Sequence, residues 1–328
     1  MDILLTGMIF IVLVFLYLTG LTSNEGVQLM RKESLKPIKF LFAIIIIFVH
    51  IPQLYGNRLQ DMIGSFAFIG VSFFDLSSAY GLKYLSEHKH SYLDSFWKKR
   101  LFEIVIPLFC IAILDALYGV VFRSGEILFI KYKNIYGWIL VLFEFYILFW
   151  VIYKLSNNYK WLYKYKDYLI CVITVILSVT DFFFNINIIK GWSLERLGFI
   201  MGILLYNKKD KIENWAGKKT IKKIVVLLVS SIFAGIVYLI TKNMYLISYF
   251  TKAILECIFL FLIVLWTSKY STSNCLMLSG GDIIWDIHFT SLLVFITNPM
   301  VFHKCRLDEK LIYSDGGDWK HFYCLLYY

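Results

Sequence analysis

A lysine and a histidine stand eleven residues apart in an otherwise apolar stretch: Lys39-Phe-Leu-Phe-Ala-Ile-Ile-Ile-Ile-Phe-Val-His50, with Pro52 just beyond. At about 100° per residue, eleven residues make three helical turns and about 20° more, so both side chains lie on one helix face. The rise between them is about 16 Å, which places His50 near mid-membrane if Lys39 marks one rim. An ionisable group in hydrocarbon is costly and points to function by default. A neutral imidazole there can remove a proton from a hydroxyl at physiological pH. The competing reading is a histidine hydrogen-bonded inside a helix bundle.

Other groups could join such chemistry. Asp115, Glu144 and Asp181 interrupt apolar runs. A carboxylate beside His50 would hold the reactive tautomer and stabilise imidazolium, whereas an ion pair to a buried cation is the plainer role for each. The tripeptide Lys98-Lys99-Arg100 is a concentrated cation cluster that suits phosphate groups, and it also reads as a simple membrane-edge anchor. Trp285 and His288 are three apart and share a face. His88 and His90 lie in a polar segment and read as solvated. There is no metal-ligand spacing, no Gly-rich phosphate loop and no Gly-x-Ser-x-Gly elbow. Of the six cysteines, Cys110, Cys171 and Cys257 fall in apolar runs. Cys305 and Cys324 share the tail and pair only if it meets an oxidising compartment; free thiols are the alternative.

The elements that would position these residues are membrane helices. Hydrophobic residues make up 59% of the chain, charged residues 17%, and mean hydropathy is +0.68. A soluble domain is less apolar and more charged, and its apolar residues do not form long runs. Here they collect in segments near 3–21, 38–54, 62–84, 101–122, 136–155, 167–187, 194–206, 220–241, 247–267 and 281–301. Most are long enough to cross about 30 Å of hydrocarbon, while 194–206 is short enough to be tilted or re-entrant. The expected fold is all-α: a polytopic integral membrane bundle of about ten transmembrane helices.

Charge in the connections sets an orientation. Segments 22–39, 83–100, 154–166, 207–223 and 268–280 hold 21 Lys and Arg, while 55–61, 122–135, 187–196 and 242–246 hold 7. The positive-inside rule puts the first set in the cytoplasm and the N-terminus outside. The first span has no basic n-region or small-residue cleavage site and reads as a retained helix of the cytoplasmic membrane. The net charge of +10 follows from this loop bias, so it gives no support for nucleic-acid binding. No internal repeat and no separate soluble domain is visible.

With these residues in view, the chain resembles the acyltransferase-3 membrane proteins, which O-acetylate bacterial surface polysaccharides and related acceptors. Their signature is a basic residue, usually Arg, separated by ten intervening residues from a His in an early span; Lys39 and His50 are similar to it. Gly70-Val-Ser-Phe-Phe-Asp-Leu-Ser-Ser-Ala-Tyr-Gly-Leu82 resembles the family's Phe-Phe-x-x-Ser-Gly-Tyr segment at Phe73, Phe74, Ser78 and Tyr80. Ala79 replaces Gly there, and Asp75 stands where an apolar residue is expected. Phe96-Trp97-Lys98-Lys99-Arg100, followed by Pro107, is similar to the family's aromatic-x-Lys-Arg entry to the next span. Weaker similarity extends through Phe143–Tyr146, Gly191–Tyr206 and Trp285–His288.

The resemblance implies transfer of an acetyl or short acyl group from acyl-CoA to a hydroxyl of a polysaccharide or lipid-linked sugar. His50 would be catalytic. Lys39, Lys98, Lys99 and Arg100 would hold the donor, and Ser78, Tyr80, Glu144, Asp181 and His288 could line the site. Acetyl-CoA is a substrate here, and no bound cofactor or metal is implied; the partners are donor, glycan acceptor and bilayer. The domain reading is 1–37 as an extra helix and loop, 38–302 as the acyltransferase-like domain, and 303–328 as an atypical tail. A transporter or flippase for a lipid-linked glycan, or an inactive family member, is the alternative.

Overall fold

A computed structural model describes residues 2–50, 58–89, 91–122, 137–184 and 194–273. Among them are eleven helices and two three-residue strands, so the all-α expectation holds. In chain order they are α1 (Asp2–Thr19), β1 (Leu21–Ser23), α2 (Lys32–His50), α3 (Arg58–Gly64), α4 (Ala67–His88) and α5 (Phe96–Phe122). There follow α6 (Gly137–Ser156), α7 (Lys160–Phe184), α8 (Arg196–Asn207), α9 (Lys209–Gly217), α10 (Thr220–Thr241), α11 (Tyr245–Lys269) and β2 (Tyr270–Thr272).

Long apolar runs dominate the chain, and a helix is the form in which such a run satisfies all of its backbone within itself in a bilayer. Three segments are both long and apolar enough to cross a membrane: Met62–His88, Thr220–Thr241 and Leu246–Lys269. The expected figure of about ten is larger than this count among the described residues. The outward faces agree with a hydrocarbon surrounding. Phe15, Phe109, Val120, Phe183, Phe233 and Ile240 are all exposed. A soluble protein rarely leaves so broad an apolar surface in water.

Packing begins at α4, which contacts α2, α8 and α11. Its tightest neighbour is α8. A Cβ at Gly198 would strike the Ser72 carbonyl, and one at Gly202 would strike the Leu76 carbonyl and the Ala79 methyl. Two glycines four residues apart therefore let the two backbones touch, the small-xxx-small device of membrane helices. Phe145 of α6 stacks on Phe199 of α8 with ring centroids 4.2 Å apart. On the other side of α4, Phe42 of α2 lies 5.4 Å from Phe73, and Tyr238 of α10 meets the edge of Phe68 at 6.0 Å.

α2 begins at Lys32, ahead of the expected start of the span at residue 38. The hydropathy pattern sees only the apolar part, whereas the backbone is already turning at Arg31, whose carbonyl accepts from Ser34 and Leu35 N–H. At the basic end of the bundle, β1 pairs antiparallel with β2, Leu21 opposite Thr272. Trp266 Nε1 donates to Tyr17 Oη at 2.7 Å, and Leu29 N–H donates to Glu213 Oε1 at 2.8 Å. The extra first helix is thereby tied to the end of α11. The segment 207–223, expected as a loop, contains the short polar helix α9.

Candidate active site

Lys39 lies on α2 one turn from Phe42, toward the basic end. It is seven residues from the helix start, about 10 Å along the axis, where the polar first turns of α2 give way to its apolar part. Its side chain is half-buried, and among the described residues no carboxylate lies within ion-pair distance. A partly desolvated ammonium with no counterion among the described residues favours an anionic ligand. His50 closes the same helix; its side chain lies outside the described residues, as do the side chain of Asp115 and the whole of His288, Cys275, Cys305, Cys324 and the tail 303–328.

A second group forms where α4, α5 and α6 meet. Ser78 Oγ and Tyr146 Oη are 3.3 Å apart. The Arg100 guanidinium lies 5.4 Å from the Tyr146 ring centroid and donates through Nη2 to Tyr92 Oη at 2.9 Å. The fully buried Phe96 anchors the start of α5, which leaves Lys98 and Lys99 exposed and turns Arg100 inward. Two residues expected in the site, Ser78 and Arg100, are thus joined through one tyrosine. Tyr80 instead meets the edge of Tyr206 at 5.3 Å. Tyr206 Oη donates to Glu87 at 2.9 Å, and the buried Lys83 bridges Glu87 at 2.7 Å and Asp167 at 2.8 Å. Tyr153 and Asn207 also donate to Asp167. This knot locks the ends of α4, α6, α7 and α8 together.

The third group is at the opposite end. Arg196, the first residue of α8, is only 1% exposed and lies between two carboxylates. Its Nη2 donates to Glu144 Oε2 at 2.8 Å, and its Nη1 donates to Asp181 Oδ2. Two of the three acidic residues singled out in the sequence, Glu144 and Asp181, therefore serve a cation on a neighbouring helix.

A family model described as an acyltransferase domain matches residues 33–304, which take in all three groups and well over half of the 328 residues. The chain belongs to the acyltransferase-3 family. It is an acyltransferase with membrane-capable helices. No curated protein and no solved structure matches it.

In this acyltransferase the sequence reading passed over Arg196 as a partner and did not single out Lys83, Lys252 or Glu256. Signals for them exist. Lys252 and Glu256 interrupt an apolar run four residues apart, the spacing of one helix face. Gly198 and Gly202 form the small-residue pattern of a helix contact. Among the described residues no cluster of His, Cys, Asp and Glu could hold a metal ion.

Proposed function

We propose that this acyltransferase moves an acetyl or other short acyl group from acyl-CoA to a hydroxyl of a cell-surface polysaccharide or its lipid-linked precursor. The protein would sit in the cytoplasmic membrane with its basic end facing the cytoplasm and its N-terminus outside. The observation that carries the reading is Lys39: a half-buried cation with no carboxylate partner among the described residues, on the same helix as His50, in a chain of this family. Lys39 and Arg100 would hold the donor phosphates from inside the bundle, and Lys98 and Lys99 would draw them in from the surface.

In the reaction, His50 takes the proton of the acceptor hydroxyl as its oxygen attacks the thioester carbonyl. A C–O bond forms, the C–S bond breaks, and the coenzyme thiolate leaves and takes up the proton. The atoms balance without a covalent acyl-enzyme. Ser78 and Tyr146, joined to Arg100, would line the donor's approach.

The test is transfer from labelled acetyl-CoA into cell-surface polysaccharide, with variants compared at equal membrane abundance. His50→Ala is expected to abolish transfer. Lys39→Ala is expected to raise KM for the donor roughly tenfold to a hundredfold, the loss of one charge-assisted contact of about 1.5–3 kcal/mol, and Lys39→Arg to restore it. Absence of transfer by the native chain, with donor and native acceptor present, would leave glycan transport as the better account.

A further inference from the structure

Five carboxyl side chains and two cations gather between α4, α6, α7, α8 and α11. Arg196 takes Glu144 and Asp181. Lys252 Nζ lies 3.5 Å from Glu195 Oε1. Both cations are thereby engaged, and Asp75 and Glu256 remain. Each is 0% exposed, and among the described residues no donor meets either oxygen of either carboxyl in hydrogen-bond geometry. They are electrostatic neighbours of each other, and Glu195 acts on both. Ser72 lies beside Glu256, but its hydroxyl donates to the Phe68 carbonyl at 3.0 Å.

The groups around this pair are few. α8 brings Glu195 and Arg196, α11 brings Lys252, and α10 brings Tyr238 near Lys252. α2 packs on α4 and carries Lys39, which makes no ion pair with a described carboxylate. With every carboxyl ionised the cluster would hold an excess of three negative charges around two cations. Arg196 acts on Asp75 and Lys252 on Glu256, but each cation already holds a carboxylate of its own. A buried anion without donors and with its nearest cations so shared is costly, and the cost is relieved by taking up a proton. The Gly198 and Gly202 contacts bring the α8 backbone against α4 on either side of Asp75, so the occupant must be small. No metal-type grouping is present among the described residues.

We propose that Asp75 and Glu256 form a proton-binding site in the middle of the bundle, with both carboxyls neutral and able to donate hydrogen bonds in the folded protein. The protons come from water and return to it. The proposal uses Asp75 and Glu256, to which the acyl-transfer reading gives no role.

Infrared spectroscopy of the full-length protein in lipid nanodiscs tests this directly, without any activity assay. At neutral pH the native protein should show a carbonyl stretch of protonated carboxyl groups that shifts in heavy water. Asp75→Asn should remove one component, Glu256→Gln the other, and the double variant both. Heavy-carbon labelling of aspartate or of glutamate in the native chain should shift the same components, which keeps the assignment open to test if a variant does not fold. A native spectrum without the band, or a double variant that keeps all of it, overturns the proposal. So does a sodium-dependent rise in thermal stability that both neutral variants abolish, because it would place a metal cation there.

Discussion

At the scale of single residues, Arg196 shows how position changes meaning. In the sequence it belongs to the junction before a short apolar segment; in the fold it is the cation that two carboxylates on separate apolar helices share. Removing one partner of a buried ion pair leaves the others desolvated and uncompensated, which costs about 3–5 kcal/mol. Arg196→Ala is therefore expected to unfold at markedly lower temperature than the native protein in the same detergent. Arg196→Met combined with Glu144→Gln and Asp181→Asn should recover most of the loss, since no charge is then buried alone. A single variant as stable as the native chain would show that water reaches the pair. Lys39 is the contrasting case: it has no carboxylate partner among the described residues, so its replacement should act on the donor and leave thermal unfolding nearly unchanged.

At the scale of elements, the α4–α8 seam holds the bundle's interior in place. Asp75 and Ser78 project from α4, and Arg196 opens α8; the registry between the two helices is set where Gly198 meets Ser72 and Gly202 meets Leu76. The obstacle to a side chain is backbone, which cannot rotate away. Gly198→Ala should push the helices apart and cost at least about 1–3 kcal/mol, the usual penalty of overpacking. Gly217→Ala, where nothing stands within 4 Å, is the matched control and should be close to neutral. Equal thermal stability of the two variants would show that the helices separate without loss.

At the scale of the whole molecule, the described part of the basic set of connections gathers at one end of the bundle. The end of α4 meets the start of α7 through Lys83 and Asp167, and β1 meets β2 after α11. That is the grouping the positive-inside rule requires of the same segments. Cysteines placed at Lys89, Lys164 or Lys211 should react with a membrane-impermeant maleimide only from the cytoplasmic side, and one at Lys242 only from the outside. Labelling of Lys211→Cys and Lys242→Cys from the same side would break this arrangement.

What the sequence determined by itself was what composition, periodicity and motif spacing can carry. Long apolar runs demand helices because lipid offers no partner to an open backbone. The Lys39 and His50 spacing, the Phe73 to Tyr80 segment and the Lys98 to Arg100 cluster were enough to point to the family. The tertiary structure decided the partnerships. That Ser78 reaches Arg100 through Tyr146, that Glu144 and Asp181 converge on Arg196, and that Asp75 and Glu256 meet no described donor depends on which faces of separate helices meet. Helix periodicity fixes a side chain's angle on its own helix and says nothing about the neighbour across the seam. Here the neighbour is set by two glycines and the close approach they allow.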